Sequence, residues 1–271
     1  MRVTRRQVLA TVAAGGAAVV GAGVYGVVVE PRRLGVTRVT LPVSNLPRAL
    51  AGVRIGLATD LHHGDLTAAG MVESVGAALR GEAPDLILLG GDYVTWSQRE
   101  AVEPCAQALS PLLPGRTFAA LGNHDPEPTV KSVFEARGIR VLRDEHERVR
   151  LRGEPVSVGA LRYWSRRESD LERTFRASEG FPILVAHDPR RVVQAEQARL
   201  PLVLSGHTHG GQVVLPLVGA PAAARFPVVY GAARRGSTSL FVSRGVGTVV
   251  LPVRVNCAPE VVVLTLERGR A

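Results

Sequence analysis

The chain has 271 residues, long enough for one α/β domain with a core of its own, so its two cysteines need not supply the disulfide framework of a small secreted domain. With 33 basic against 24 acidic residues the formal charge is +9, which favours anionic partners such as phosphorylated metabolites or a polyanionic envelope. Nucleic acid is excluded as the expected partner, because the arginines are scattered and aromatics, at 4%, leave few platforms for base stacking.

Thr4-Arg5-Arg6-Gln7-Val8-Leu9 opens the chain with paired arginines, and Val8 to Val29 then runs for 22 residues without a charge. This resembles a twin-arginine export signal, which implies use of the twin-arginine export machinery and a final place on the extracytoplasmic face of the membrane, in the cell wall or outside the cell. A bilayer is spanned by about 20 apolar residues, so residues 1–30 are read as a removed signal or as a retained membrane anchor. A buried helix of the fold is disfavoured, since Gly15-Gly16, Gly21, Gly23 and Gly26 would each cost about 1 kcal/mol in a helix interior. Residues 31–52 are read as a linker and lead-in, and residues 53–267 as the catalytic domain.

In that domain Val53 to Thr59, Asp85 to Leu89, Thr117 to Leu121, Ile183 to Ala186 and Leu202 to Leu204 predict buried strands, and Ala69 to Arg80, Gln98 to Leu109 and Val130 to Arg137 predict helices. The βαβαβα order implies a largely parallel sheet in the first half. Pro155 to Ala160, Ser239 to Ser243 and Val261 to Leu266 add strands with fewer helices, so the expected fold is α/β, two packed mixed sheets flanked by helices. Pro216 to Gly236 predicts a long loop. Cys105 and Cys257 lie in no Cys-x-x-Cys pair and read as packed thiols.

The informative pattern is what ends the strands. Asp60 and His62 follow the first, Asp92 the second, Asn123-His124-Asp125 the third, His187 the fourth, and His207 with His209 the fifth. Ligands of open α/β sheets bind beyond the carboxyl ends of the strands, so five segments would deliver oxygen and imidazole donors to one rim. Such donors suit Mn, Fe, Zn or a similar divalent ion, and a shared carboxylate can hold two ions about 3.5–4 Å apart, a pair able to activate water and clamp a phosphoryl group.

Asp60-Leu61-His62, Gly91-Asp92, Gly122-Asn123-His124-Asp125, His187 and Gly206-His207-Thr208-His209 resemble the ordered motifs of the calcineurin-like metallophosphoesterases, over about residues 53 to 267. Gly206 to Gln212 and Ser243 to Cys257 resemble an exported or membrane-linked branch related to UDP-2,3-diacylglucosamine hydrolases. The resemblance implies a four-layer α/β/β/α sandwich and two divalent cations. It implies that Asp60, His62 and His209 bind the first, that Asn123, His187 and His207 bind the second, and that Asp92 bridges them. His124 would face the substrate as general acid or oxyanion stabiliser. Where many members carry an acid or another polar group to orient that histidine, this chain has Thr95; Asp125 either substitutes or stabilises its own loop. His63 is expected to point away from His62, while Arg162, Tyr163, Trp164 and Arg244 are candidates for contact with a leaving group.

The expected function is hydrolysis of phosphoester or pyrophosphate bonds in the envelope, on phosphorylated small-molecule or lipid-linked substrates. A UDP-2,3-diacylglucosamine-type pyrophosphate hydrolase and a non-catalytic metal-binding envelope protein are the alternatives. The second is opposed by the presence of all seven ligand residues and His124. A metallo-β-lactamase-like hydrolase would need a His-x-His-x-Asp-His run, which does not occur.

Overall fold

The computed structural model describes residues 4–6, 20–95, 98–110, 112 and 115–269. One six-stranded sheet has the order β1 (Gly35–Val43), β12 (Glu260–Arg268), β2 (Arg54–Ala58), β3 (Leu86–Leu89), β4 (Thr117–Ala119), β5 (Arg140–Val141). Strands β2 to β5 run parallel, and β12 enters antiparallel to β2. The second six-stranded sheet has the order β10 (Gly231–Arg235), β11 (Thr238–Val242), β9 (Leu202–Ser205), β8 (Phe181–Ala186), β7 (Glu154–Leu161), β6 (Glu145–Leu151). Here β7, β8, β9 and β11 are parallel, and hairpins carry the chain from β6 to β7 and from β10 to β11.

Side-chain alternation explains the layers. Ile55 and Leu57 of β2, Leu86 and Leu88 of β3, and Val262, Leu264 and Leu266 of β12 point between the sheets, where they meet Ile183 and Val185 of β8 and Leu202 and Leu204 of β9. The alternate residues Ile87, Leu89 and Val261 face outward under α1 (Ala69–Gly81), α2 (Val102–Leu109) and α3 (Glu127–Glu135). Helix α1 buries Val72, Val75, Gly76 and Leu79, and α2 buries Val102, Cys105, Ala106 and Leu109, the spacing of one helical face. Leu184 and Val203 of the second sheet pack outward with Leu171 of α4 (Glu168–Thr174) and Val192 and Ala195 of α5 (Val192–Gln197). The result is four layers, α/β/β/α, as the resemblance implied.

Two expectations are corrected. The lead-in 31–52 is not a linker along its length, because β1 pairs with β12 over nine residues and puts Leu41 and Val43 into the inter-sheet core. Its partner lies more than two hundred residues away, so no local window shows the pairing, and Pro42 is tolerated because β1 is an edge strand. Nor is Pro216 to Gly236 a loop throughout: residues 231–235 form β10, an edge strand without an apolar pattern that is held by β11. In the leader, Arg5 and Arg6 are exposed and Val20 to Val29 is helical, ending in a π-helical turn at Tyr25–Val29. The rest of the uncharged run lies outside the described residues, among which no helix is long and apolar enough to cross a membrane.

Candidate metal centre

The carboxyl ends of β2, β3, β4, β8 and β9 meet at one rim, and the two sheets share it. Asp60 and His62 follow β2, Asp92 follows β3, His187 follows β8, and His207 and His209 follow β9. To aim side chains inward so soon after a strand, the backbone turns sharply: Asp60, His62, Asp92, His207 and His209 have φ of 54°, 43°, 56°, 70° and 52°, the left-handed region that costs a non-glycine residue about 1–2 kcal/mol. Close approach also demands glycine. A Cβ on Gly206 would lie 2.3 Å from Asp60 Oδ2, and one on Gly122 would lie 2.1 Å from Asp92 Oδ1.

Two groups of converging donors result, Asp60 with His62 and His209, and Asp92 with His187 and His207, the ligand atoms of each within 4.8 Å of one another. Each group draws on both sheets. In the first, His62 Nε2 and His209 Nε2 are 3.2 Å apart and Asp60 Oδ1 is 3.4 Å from His209 Nε2. In the second, His187 Nε2 lies 3.1 Å from Asp92 Oδ2 and 3.2 Å from His207 Nδ1. Asp92 Oδ2 is also 3.5 Å from His62 Nε2, so this one oxygen faces both groups.

Hydrogen bonds to carbonyls set the rings. His187 Nδ1–H donates to Gly90 O at 2.8 Å, and His209 Nδ1–H faces Gly247 O at 3.3 Å, which turns the Nε2 atom of each ring inward. Burial is the main cause that lowers His62 and His209 to about 3 and His207 to about 4, keeping these imidazoles neutral and able to donate a lone pair. His187 moves the other way. Although burial opposes it, the Asp92 and Asp60 carboxylates raise it to about 10, and Asp92 is held well below the usual carboxylate range despite its own burial. The site therefore attracts positive charge at the point where the two groups meet.

The sequence profile described as Calcineurin-like phosphoesterase matches residues 53–211. The chain belongs to the calcineurin-like phosphoesterases. It is 31% identical to the uncharacterized metallophosphoesterase YkuE of Bacillus subtilis (strain 168), over 98% of each chain. It is 33% identical to the phosphodiesterase YaeI of Escherichia coli (strain K12), over 80% of this chain and 83% of that one. Among solved structures, TT1561 of Thermus thermophilus superposes with a TM-score of 0.51 at 15% identity, covering 71% of this chain and 89% of that one, a likeness of fold.

The remaining residues of this phosphoesterase fit a pair of divalent cations. Asn123 Oδ1 is buried and accepts no hydrogen bond, which suits an amide oxygen kept for a cation. His124 places its ring centroid 4.9 Å from that of His62, edge to face, and its backbone N–H donates to Asp92 Oδ1 at 2.9 Å. Asp125 accepts the N–H groups of Asp92, Tyr93 and Gly122 at 2.8–2.9 Å, so it builds the loop. Thr95 uses its carbonyl to hold the Gln98 N–H.

His63 faces Thr67 O through Nδ1 at 3.0 Å, away from the rim. Arg162 is tied to Asp144 and Glu127, and Arg244 to Glu260, which makes both structural. Tyr163 does reach the rim, with its ring 5.2 Å from that of His207, while Trp164 is exposed beside it. Both cysteines are buried free thiols.

One residue to which the sequence reading gave no role of its own stands behind the rim. Arg254 is fully buried and donates to the carbonyls of Arg244, Gly245, Gly247 and Cys257. Its bond to Gly247 O fixes the acceptor that orients His209. Besides its place in the Ser243 to Cys257 motif, its trace in the sequence is an arginine inside the apolar run from Val249 to Val255.

Proposed function

We propose that this phosphoesterase hydrolyses phosphodiester and pyrophosphate bonds with a dinuclear metal centre, working in the cell envelope. The observation that carries the reading is Asp92 Oδ2, which faces both donor groups at 3.1 and 3.5 Å and so can serve two cations at once. Asp60, His62 and His209 would hold one cation and Asn123, His187 and His207 the other, with the Asp92 carboxylate available to both. Bound there, the cations supply Lewis-acid activation of water and of the phosphoryl oxygens. His124 gives the proton to the leaving oxygen, a role imidazole fills near neutral pH. Because its N–H holds Asp92 Oδ1, the acid is positioned by the same carboxylate that serves the metals.

Substrate class follows from what adjoins the rim. A groove of about 460 Å³ begins at His207 and His209 and continues along Val213, Phe226, Val250 and Leu251, with Arg225 at its side. An apolar channel beside a guanidinium suits an amphiphilic phosphate, with the head group at the metals and the tail along the groove. The diesterase name of the YaeI relative supports diester chemistry. A lipid-linked substrate of the UDP-2,3-diacylglucosamine kind is the finer reading that the groove favours.

To test it, the protein is stripped with chelator, reloaded with Mn, Fe or Zn, and assayed on a soluble monoester, a soluble diester and a lipid-linked pyrophosphate. Activity on diester and pyrophosphate that returns with about two metal ions per chain is expected; turnover that ignores the chelator would sink the proposal. Export is tested separately. Arg5→Lys with Arg6→Lys is expected to leave active protein in the cytoplasm, and continued export of this variant would overturn the twin-arginine route.

A further inference from the structure

Two turns next to the groove hold apolar side chains out in water. Leu217 and Val218 are 109% and 68% exposed, and Val250 and Leu251 are 85% and 60% exposed. Scattered exposed residues of this type are ordinary, but a pair at the tip of each of two turns, one following Val213–Val214 and the other leading into Val253–Val255, marks an interaction surface. The backbone supports that view: Leu217 and Val250 both have φ 66°, a conformation that a bulky or β-branched residue rarely adopts.

Nor are the tips loose. The Gln212 amide donates to Leu251 O and Val253 O and accepts the Val249 N–H, while reciprocal bonds between Leu215 and Gly219 close the other turn. Strain kept at a braced and exposed position points to use of that position.

What the tips meet is indicated by their neighbours. The extended segment Val253–Val255 lies between Val213–Val214 on one side and Gly26 on the other, with the Arg254 N–H bonded to Gly26 O and the Val214 N–H to Val255 O. The end of the uncharged leader, where Val24, Tyr25, Val27, Val28 and Val29 are exposed, thus packs beside the segment that the Val250–Leu251 tip leads into, and Val27 lines one cavity with Pro252. Charge agrees as well. No carboxylate side chain occurs between Glu196 and Glu260, a span that holds both tips, the groove wall and Arg225.

We infer that the Leu217–Val218 and Val250–Leu251 tips, together with the leader's exposed valines, form a docking face that dips into an anionic lipid bilayer. Apolar tips bury below the headgroups while arginines stay among the phosphates, and the leader adds a second point of attachment. The groove mouth then sits at headgroup depth. The docking rests on the proposed function only for the substrate it would deliver, since the contact with lipid needs no turnover.

The test uses the full chain, treated with chelator, and vesicles of phosphatidylcholine with a minority of phosphatidylglycerol. An environment-sensitive fluorophore is attached at Val218→Cys or Val250→Cys. Arg150→Cys, exposed on β6 at the far end of its sheet, serves as control, and the native thiols are buried. Both tip probes are expected to shift to the blue on adding vesicles and to be quenched by lipid-borne nitroxide, while the probe at position 150 does neither. Tip probes that stay in water while the chain sediments with the vesicles would mean that the leader alone binds, and would overturn the inference. A blue shift without vesicles that grows with protein concentration would assign the face to a second copy of the chain and overturn it equally. An undiminished shift with phosphatidylcholine alone would overturn the anionic preference. Because the readout is independent of hydrolysis, loss of the phosphoesterase reading and loss of the docking face are separate results.

Discussion

Asp92 has two duties that need a carboxylate on both sides: Oδ1 accepts the His124 N–H, and Oδ2 faces both donor groups. An amide can satisfy one side only, because turning its oxygen toward His124 aims an NH₂ at the cations. Asp92→Asn is therefore expected to lose metal and activity together, with kcat/KM down by at least about a hundredfold, more than the 10–100-fold usual for a residue that merely supports a ligand. His124→Ala removes a group assigned to the transition state, so kcat should fall about 10²–10⁴-fold while metal content stays unchanged. Metal analysis of the two purified variants separates the roles, and metal loss in His124→Ala would show the assignment to be wrong. The residue types at this rim were legible in the sequence because each sits just after an apolar run. The left-handed turns at Asp60, His62, Asp92, His207 and His209 were not, since an ordinary L-residue gives no sign of a positive φ. The role of Arg254 was missed because its carbonyl partners belong to the backbone, and backbone leaves no mark in sequence.

Elements were legible in proportion to burial. Strands β2, β3, β8 and β9 are almost wholly buried and read as apolar runs, and α1 and α2 carry a clear helical stripe. β6, with the sequence Glu-His-Glu-Arg-Val-Arg-Leu, is an edge strand defined by its hairpin with β7, and α5 is too short to show a period. The element with the largest consequence is β1. A chain begun at Val53, where the family profile starts, would strip the edge from β12 and remove Leu41, Val43, Leu46 and Leu50 from the inter-sheet core. Each lost leucine costs on the order of 2–5 kcal/mol against a total stability of about 5–15 kcal/mol, so this truncation is expected to yield insoluble protein. A chain begun at Glu30 keeps β1 and the bond from the Cys257 N–H to the Glu30 carboxylate, and should stay soluble and bind metal. Soluble expression and thermal melts of both chains decide the matter.

At the scale of the whole molecule, the metal rim is also a seam. Each donor group takes residues from both sheets, so cations held there tie together layers that otherwise meet through apolar side chains. Chelation should lower the melting temperature, by about 2–4 °C for each kcal/mol of binding energy lost, and the deficit should depend on pH in a direction the imidazoles fix. His62, His209 and His207 are depressed from 6.5 to about 3, 3 and 4 by burial, so in the metal-free protein their contribution is intact above pH 6.5 and is lost as pH falls through the folded values. His187, raised to about 10 against burial by Asp92 and Asp60, contributes below pH 6.5 and loses that contribution as pH rises to about 10. Asp125, raised to about 7 by burial and by Asp92, adds a loss on going up to that pH, one group against three imidazoles. The chelated protein should thus melt highest near neutral pH and decline on both sides, more steeply toward acid. With the cations restored, His187 has no proton to give up, so the alkaline decline should shrink while acid still strips the ligands. Melts followed by circular dichroism with chelator and with Mn across this range check it, and an alkaline limb that is the same with and without metal would refute the placement of His187 at the seam.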